Sequence, residues 1–148
     1  MNRLLFVYGT LRDPDLLVAV LGRPLRADET HAAVAPGYRA TYYPGRVYPA
    51  LVRSPGGSAE GLVLVGLTPF ELELLDRFEG GEYHRSVIPV MIGEELHEAD
   101  AYLPSVTVTG GDPWMLERWQ AVHKADVLGP ERAQADKIRR AMIAARPN

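Results

Sequence analysis

The sequence predicts an α+β domain. Three observations carry that reading: short apolar runs ending in β-branched or aromatic residues, helix starts marked by a capping residue and a proline, and mixing of the two along 148 residues without an internal repeat or long linker. The length suits one domain with its own core, so residues 1–148 read as a single unit.

Residues 4–7 form a short apolar run, the pattern of a buried strand, and Gly9 ends it. Asp13 can cap a helix with Pro14 at its first position, giving a helix over 13–21 with Gly22 as its stop. Residues 32–43 read as extended, interrupted at Pro36-Gly37, and lead into a rigid aromatic loop through Tyr48-Pro49. A short strand over 50–52, a turn over 54–58 and a doubly covered strand over 61–67 follow. Thr68-Pro69-Phe70-Glu71 has the capping-box pattern, so a helix starts there and stops at Gly80-Gly81, where glycine can take the left-handed cap. Residues 83–92 and 96–103 pair as a hairpin around Gly93-Glu94. Asp112-Pro113 opens a helix with Met115, Trp119 and Val122 on a core stripe, ending near Leu128-Gly129. Pro130 begins a last helix that repeats Ile138, Met142 and Ala145 at helical spacing.

Composition narrows the function classes. Hydrophobic residues make up 47% and charged residues 24%, which excludes disordered and collagen-like chains. Net charge is −3, and residues 137–140 form only a small basic patch, so nucleic acid is not an expected partner. The absence of cysteine removes disulfides, thiolate zinc sites and a cysteine nucleophile, and makes the cytoplasm the expected location. The apolar run at residues 4–8 is too short for a signal peptide or a span, so no membrane association is expected.

Several chemistries lack their residues. His31, His84, His97 and His123 show no helical metal-binding spacing, so no metal is expected. No G-x-S-x-G elbow supports a serine nucleophile, and no G-x-G-x-x-G or P-loop supports a nucleotide cofactor.

Two segments remain. In Val7-Tyr8-Gly9-Thr10-Leu11-Arg12 a strand enters a glycine turn close to a helix N-terminus, a geometry that exposes backbone N–H groups and attracts anions; a simple change of chain direction is the alternative. In Leu75-Asp76-Arg77-Phe78-Glu79-Gly80-Gly81-Glu82-Tyr83-His84-Arg85, Glu79 stands at the negative end of a helix beside Phe78. The helix dipole and burial both raise a carboxyl group there, and an acid so tuned can shuttle protons near neutral pH. A solvent-exposed glutamate in a helix-ending turn is the other reading.

Together these segments, with Tyr48-Pro49-Ala50-Leu51-Val52 between them, resemble the γ-glutamylcyclotransferase-like family, which includes γ-glutamylamine cyclotransferases and the plant avirulence-induced gene 2 proteins. The similarity spans about residues 4–103. It implies a small mixed β-barrel with flanking helices and a cyclotransferase that turns a small γ-glutamyl compound into 5-oxoproline and a free amine without a cofactor. Carried over by position, Tyr8, Gly9, Thr10 and Leu11 become the substrate-binding turn, and Glu79 the catalytic acid and base.

Tyr83 and Arg85 are two apart on one strand and face the same side, so both are candidate substrate-binding residues. For Tyr83 packing is the alternative, and for Arg85 a structural ion pair. Glu82 is a rival base outside the family position, and Tyr43 and Tyr48 are candidate walls of the site. Residues 111–148 form a helical C-terminal extension beyond the resemblance, leaving three roles open: lining the site, mediating a homodimer, or capping the barrel. A non-catalytic binding module for an amino-acid-like ligand is the rival reading.

Overall fold

The structure is a computed structural model that describes residues 4–146; the three N-terminal residues and the last two of the expected domain lie outside it. Five strands, β1 (Leu5–Val7), β2 (Thr30–Tyr42), β3 (Pro49–Leu64), β4 (Tyr83–Ile92) and β5 (Glu95–Pro104), lie in the order β1-β3-β2-β4-β5 around a closed sheet. Neighbours are antiparallel except β1 and β5, whose parallel pairing at Leu5–Asp100 and Phe6–Ala101 joins the ends of the ring. The β2–β4 seam is a single registered pair, Val34 with Met91. Four helices flank the sheet: α1 (Pro14–Leu21), α2 (Pro69–Glu79), α3 (Leu116–Val122) and α4 (Lys124–Ala145).

Strand β1 organises the core because its side chains alternate between faces. Leu5 and Val7 join Leu16, Val20, Leu75, Trp119 and Ala135 in a cluster shared with the helices. Phe6 and Tyr8 face the other cluster, with Leu51, Val63, Val90 and Ala101. A strand buried on both sides must be apolar throughout, as residues 5–7 are. Close approach of β3 requires Gly61, where a Cβ would come within 2.3 Å of the Val7 carbonyl.

The first two helices form as their end signals dictate. Asp13 accepts from the Leu16 amide at 3.0 Å, Pro14 follows, and Gly22 closes α1 with φ of 80°. Thr68 and Glu71 exchange both capping-box bonds at the start of α2. Its end departs from expectation: Gly80 has a positive φ of 69° but ψ of −158°, outside the left-handed helical region, and a 3₁₀ turn (Gly80–Glu82) leads directly into β4.

Elsewhere the breaker residues act more weakly than expected. β2 runs unbroken through Pro36-Gly37, and the expected turn at residues 54–58 lies inside β3. Register jumps there from Pro36–Ser58 to Tyr38–Arg53, so the extra residues of β3 bulge while pairing resumes on either side. The strand expected to reach residue 67 ends at Leu64. Pro113 does not open a helix: it bridges to Thr41, and α3 starts only at Leu116, leaving Met115 and Val122 exposed and only Trp119 of the expected stripe buried. Pro130 does not start a helix either. α4 passes through Gly129 and Pro130 without a break, because Val127 and Leu128 before them and Ala135 beyond them pack on the same core and offset the lost backbone bond, a cost of ~3 kcal/mol.

Candidate active site

A cavity of about 160 Å³ opens where β1 runs out against the end of α2 and the side of α4. Tyr8, Gly9, Thr10 and Leu11 line it from one side, Glu79, Glu82 and Tyr83 from another, Tyr48 and Pro49 from the aromatic loop, and Glu131 and Gln134 from α4.

The turn after β1 tightens into one 3₁₀ turn (Thr10–Arg12), closed by Arg12 N donating to Gly9 O and Asp13 N to Thr10 O, each at 3.0 Å. A helical start leaves its leading amides without intrahelical acceptors, which here are those of Thr10 and Leu11. Gly9 is required by contact: a Cβ would lie 2.8 Å from the Pro49 ring.

The tyrosines are held by their hydroxyls. Tyr8 donates to the Tyr102 carbonyl at 2.5 Å and Tyr83 to the Pro49 carbonyl at 2.6 Å. Tyr43, Tyr48 and Tyr83 pack edge-to-face or tilted, with ring centroids 5.5–6.3 Å apart. Tyr48 also donates to Glu82, and Arg46 contacts both, at 2.9 Å to the Tyr48 hydroxyl and 3.1 Å to the carboxylate. Glu82, the rival base, is therefore occupied by a cation and a phenol.

Glu79 differs. Among the described residues it has no hydrogen bond or ion-pair partner; burial pushes its carboxyl up to about 8, and the negative charges of Glu131, Glu82 and Asp76 add to the rise. Phe78 and Tyr102 line the cavity beside it.

Arg85 stands apart from this group and is not among the residues lining the cavity. Its guanidinium binds Asp76 at 2.9 and 3.1 Å and Asp100 at 3.3 Å. Sequence reasoning also left the C-terminal extension open; Glu131 and Gln134 bring it to the cavity. Their one legible signal was polar residues on the helix that carries Ala135, and it does not say which cavity they reach.

Among the described residues no cluster of histidine and carboxylate could hold a metal ion, and no helix is long and apolar enough to cross a membrane. A family model described as "Gamma-glutamyl cyclotransferase, AIG2-like" matches residues 5–121. The chain belongs to this family. Among its relatives in the AIG2-like group, AIG2-like protein A of Arabidopsis thaliana is 36% identical over 124 residues, 80% of this chain and 73% of that protein. AIG2-like protein D of the same plant is 30% identical over 90% of this chain and 89% of its own length. A solution structure of another Arabidopsis thaliana protein superposes with a TM-score of 0.66 at 28% identity, covering 99% of this chain and 95% of that one. A structure titled gamma-glutamyl cyclotransferase shares the fold at a TM-score of 0.56 and 16% identity, over 100% of this chain and 90% of that one. The AIG2-like family match ends before α4, so Glu131 and Gln134 lie outside it.

Proposed function

We propose that the protein is a cyclotransferase that converts a small γ-glutamyl compound into 5-oxoproline and a free amine, with Glu79 as general acid and base. The observation that carries this reading is Glu79 itself, a cavity carboxyl that has no partner among the described residues and whose pKa burial raises to about 8. An acid of that strength can both accept and return a proton near neutral pH. The substrate brings its own nucleophile, the α-amine, which attacks the γ-carbonyl carbon. Glu79 takes a proton from the attacking nitrogen, the bond from the γ-carbon to the leaving nitrogen breaks, and Glu79 returns the proton to that nitrogen. The turn of Tyr8, Gly9, Thr10 and Leu11 holds the α-carboxylate through its unpaired amides, and Thr10 steadies the oxyanion. Positioning of this kind can be worth ~7–11 kcal/mol and proton transfer roughly 10²–10⁴-fold. Tyr83 bounds the substrate, and Arg85 acts at one remove, by holding Asp76.

Mass-spectrometric detection of 5-oxoproline from a panel of γ-glutamyl amino acids, γ-glutamyl amines and glutathione tests the reading. Product from the wild type and none from Glu79→Gln supports it. Full turnover by Glu79→Gln overturns the role of Glu79, whereas binding without turnover by the wild type favours a ligand-sensing module.

A further inference from the structure

The charges around the cavity do not cancel. Of the acids whose charge reaches Glu79, Asp76 is held by Arg85 and Glu82 by Arg46. The exceptions are Glu131 on α4 and Glu79 itself, at the end of α2. Both line the cavity, and neither has an ion-pair or hydrogen-bond partner among the described residues. Among the described residues no lysine, arginine or histidine lines that cavity, and Arg132, next to Glu131 in sequence, lies instead in a separate groove with Asp15 and Asp136. The tyrosine hydroxyls at the cavity are engaged: those of Tyr8, Tyr83, Tyr48 and Tyr102 are bonded to Tyr102, Pro49, Glu82 and Asp76, while Thr10 and Gln134 add neutral polar groups to the lining.

We propose that Glu131 is a positioning residue of the site: its carboxylate supplies the second uncompensated negative charge of the cavity and thereby sets the charge state of Glu79. Like charges that face one cavity raise each other's hold on a proton, so without substrate the pair retains a proton, and the two groups titrate together. Burial acts in the same direction on Glu131 and raises it as well. On the proposed function, on which this inference rests, the arriving α-ammonium replaces that proton as the missing positive charge and frees Glu79 to act as a base. The proton leaves as the ammonium enters, and the α-carboxylate that enters with it is carried by the amides of the turn of Tyr8, Gly9, Thr10 and Leu11. Helix α4 therefore tunes the acid that α2 carries.

The test is a carbon-13 NMR titration of the glutamate side-chain carboxyls in the full chain, with the Glu79 signal assigned by its loss in Glu79→Gln. In Glu131→Gln the Glu79 midpoint should fall by about one pH unit, and Glu131→Asp should restore it. An unchanged midpoint in a folded Glu131→Gln protein overturns the proposal. Should that variant not fold, Gln134→Glu adds a charge to the same face of α4 and should raise the midpoint; no change there is equally fatal. The acid limb of kcat/KM should move with the midpoint. The titration needs no substrate, so a wild type that forms no 5-oxoproline counts against the proposed function, while a motionless midpoint counts against Glu131.

Discussion

Tyr102 donates its hydroxyl to Asp76 at 2.7 Å while its own carbonyl accepts the Tyr8 hydroxyl at 2.5 Å. One residue of β5 thus ties the floor of the cavity to the acid that precedes Glu79 by one helical turn. Arg85 completes the arrangement by neutralising that acid.

Removing Arg85 should consequently act on both stability and chemistry. Arg85→Ala leaves Asp76 and the buried Asp100 without this cation, at a cost of roughly 1–3 kcal/mol. The freed charge of Asp76 also adds to those that already raise Glu79, so the acid limb of kcat/KM should move to higher pH, opposite to the effect of Glu131→Gln. Thermal melts and a pH–rate profile of the same variant check both outcomes.

Glu79→Gln should change how stability depends on pH. Because the folded value of about 8 exceeds the ordinary 4.5, the folded state holds this proton more tightly than the unfolded chain. Stability fully present below pH 4.5 is therefore lost as pH rises to about 8, and glutamine loses none. At about 1.36 kcal/mol per unit the window from 4.5 to about 8 is worth roughly 5 kcal/mol. Melting temperatures should be similar at pH 5 and higher for the variant at pH 8.5; parallel curves for the two proteins would contradict the environment assigned to Glu79.

The turn after β1 can be probed at Gly9. The methyl that alanine adds meets the ring of Pro49, whose carbonyl anchors Tyr83. Gly9→Ala should cost about 1 kcal/mol of stability and at least tenfold in kcat/KM, since the wall and the turn shift together. Equal kcat/KM for variant and wild type would show that the turn plays no part in binding.

Asp13 offers a control away from the chemistry. It caps α1 and also takes Gln120 at 2.8 Å and Lys124 at 2.9 Å, so it pins α4 to the start of α1. Burial pushes its carboxyl up, but the bonds from Lys124, Gln120 and the Leu16 amide outweigh burial and hold it below 3.8. Its stabilising contribution is present above that value and lost as pH falls through the lower folded one. Asp13→Ala should cost about 1–3 kcal/mol near neutral pH, and the gap to the wild type should narrow in acid.

The parts of the fold that were legible are those written in local chemistry. Asp13-Pro14 and Thr68-Pro69-Phe70-Glu71 form the helix starts they spell, and Gly93-Glu94 turns the hairpin it promises. What was not legible depends on partners distant in sequence. Gly37 and Gly56 take positive φ without ending their strands, because β2 and β3 pair on both sides of the bulge. Pro130 fails to break α4 because the core holds both halves. The site divides in the same way: the turn and Glu79 were marked by motifs, whereas Glu131 carries no motif and reaches the cavity only through the packing of α4 on α2.

The parallel closure of β1 on β5 orders events during protein synthesis. The ribosome makes β1 first, yet one of its edges waits for β5, and the cavity at its end waits further still for residues 131–134. Strand β1 therefore stays unpaired until β3 is made and half-paired until β5 is made, and the cavity is complete only once α4 follows.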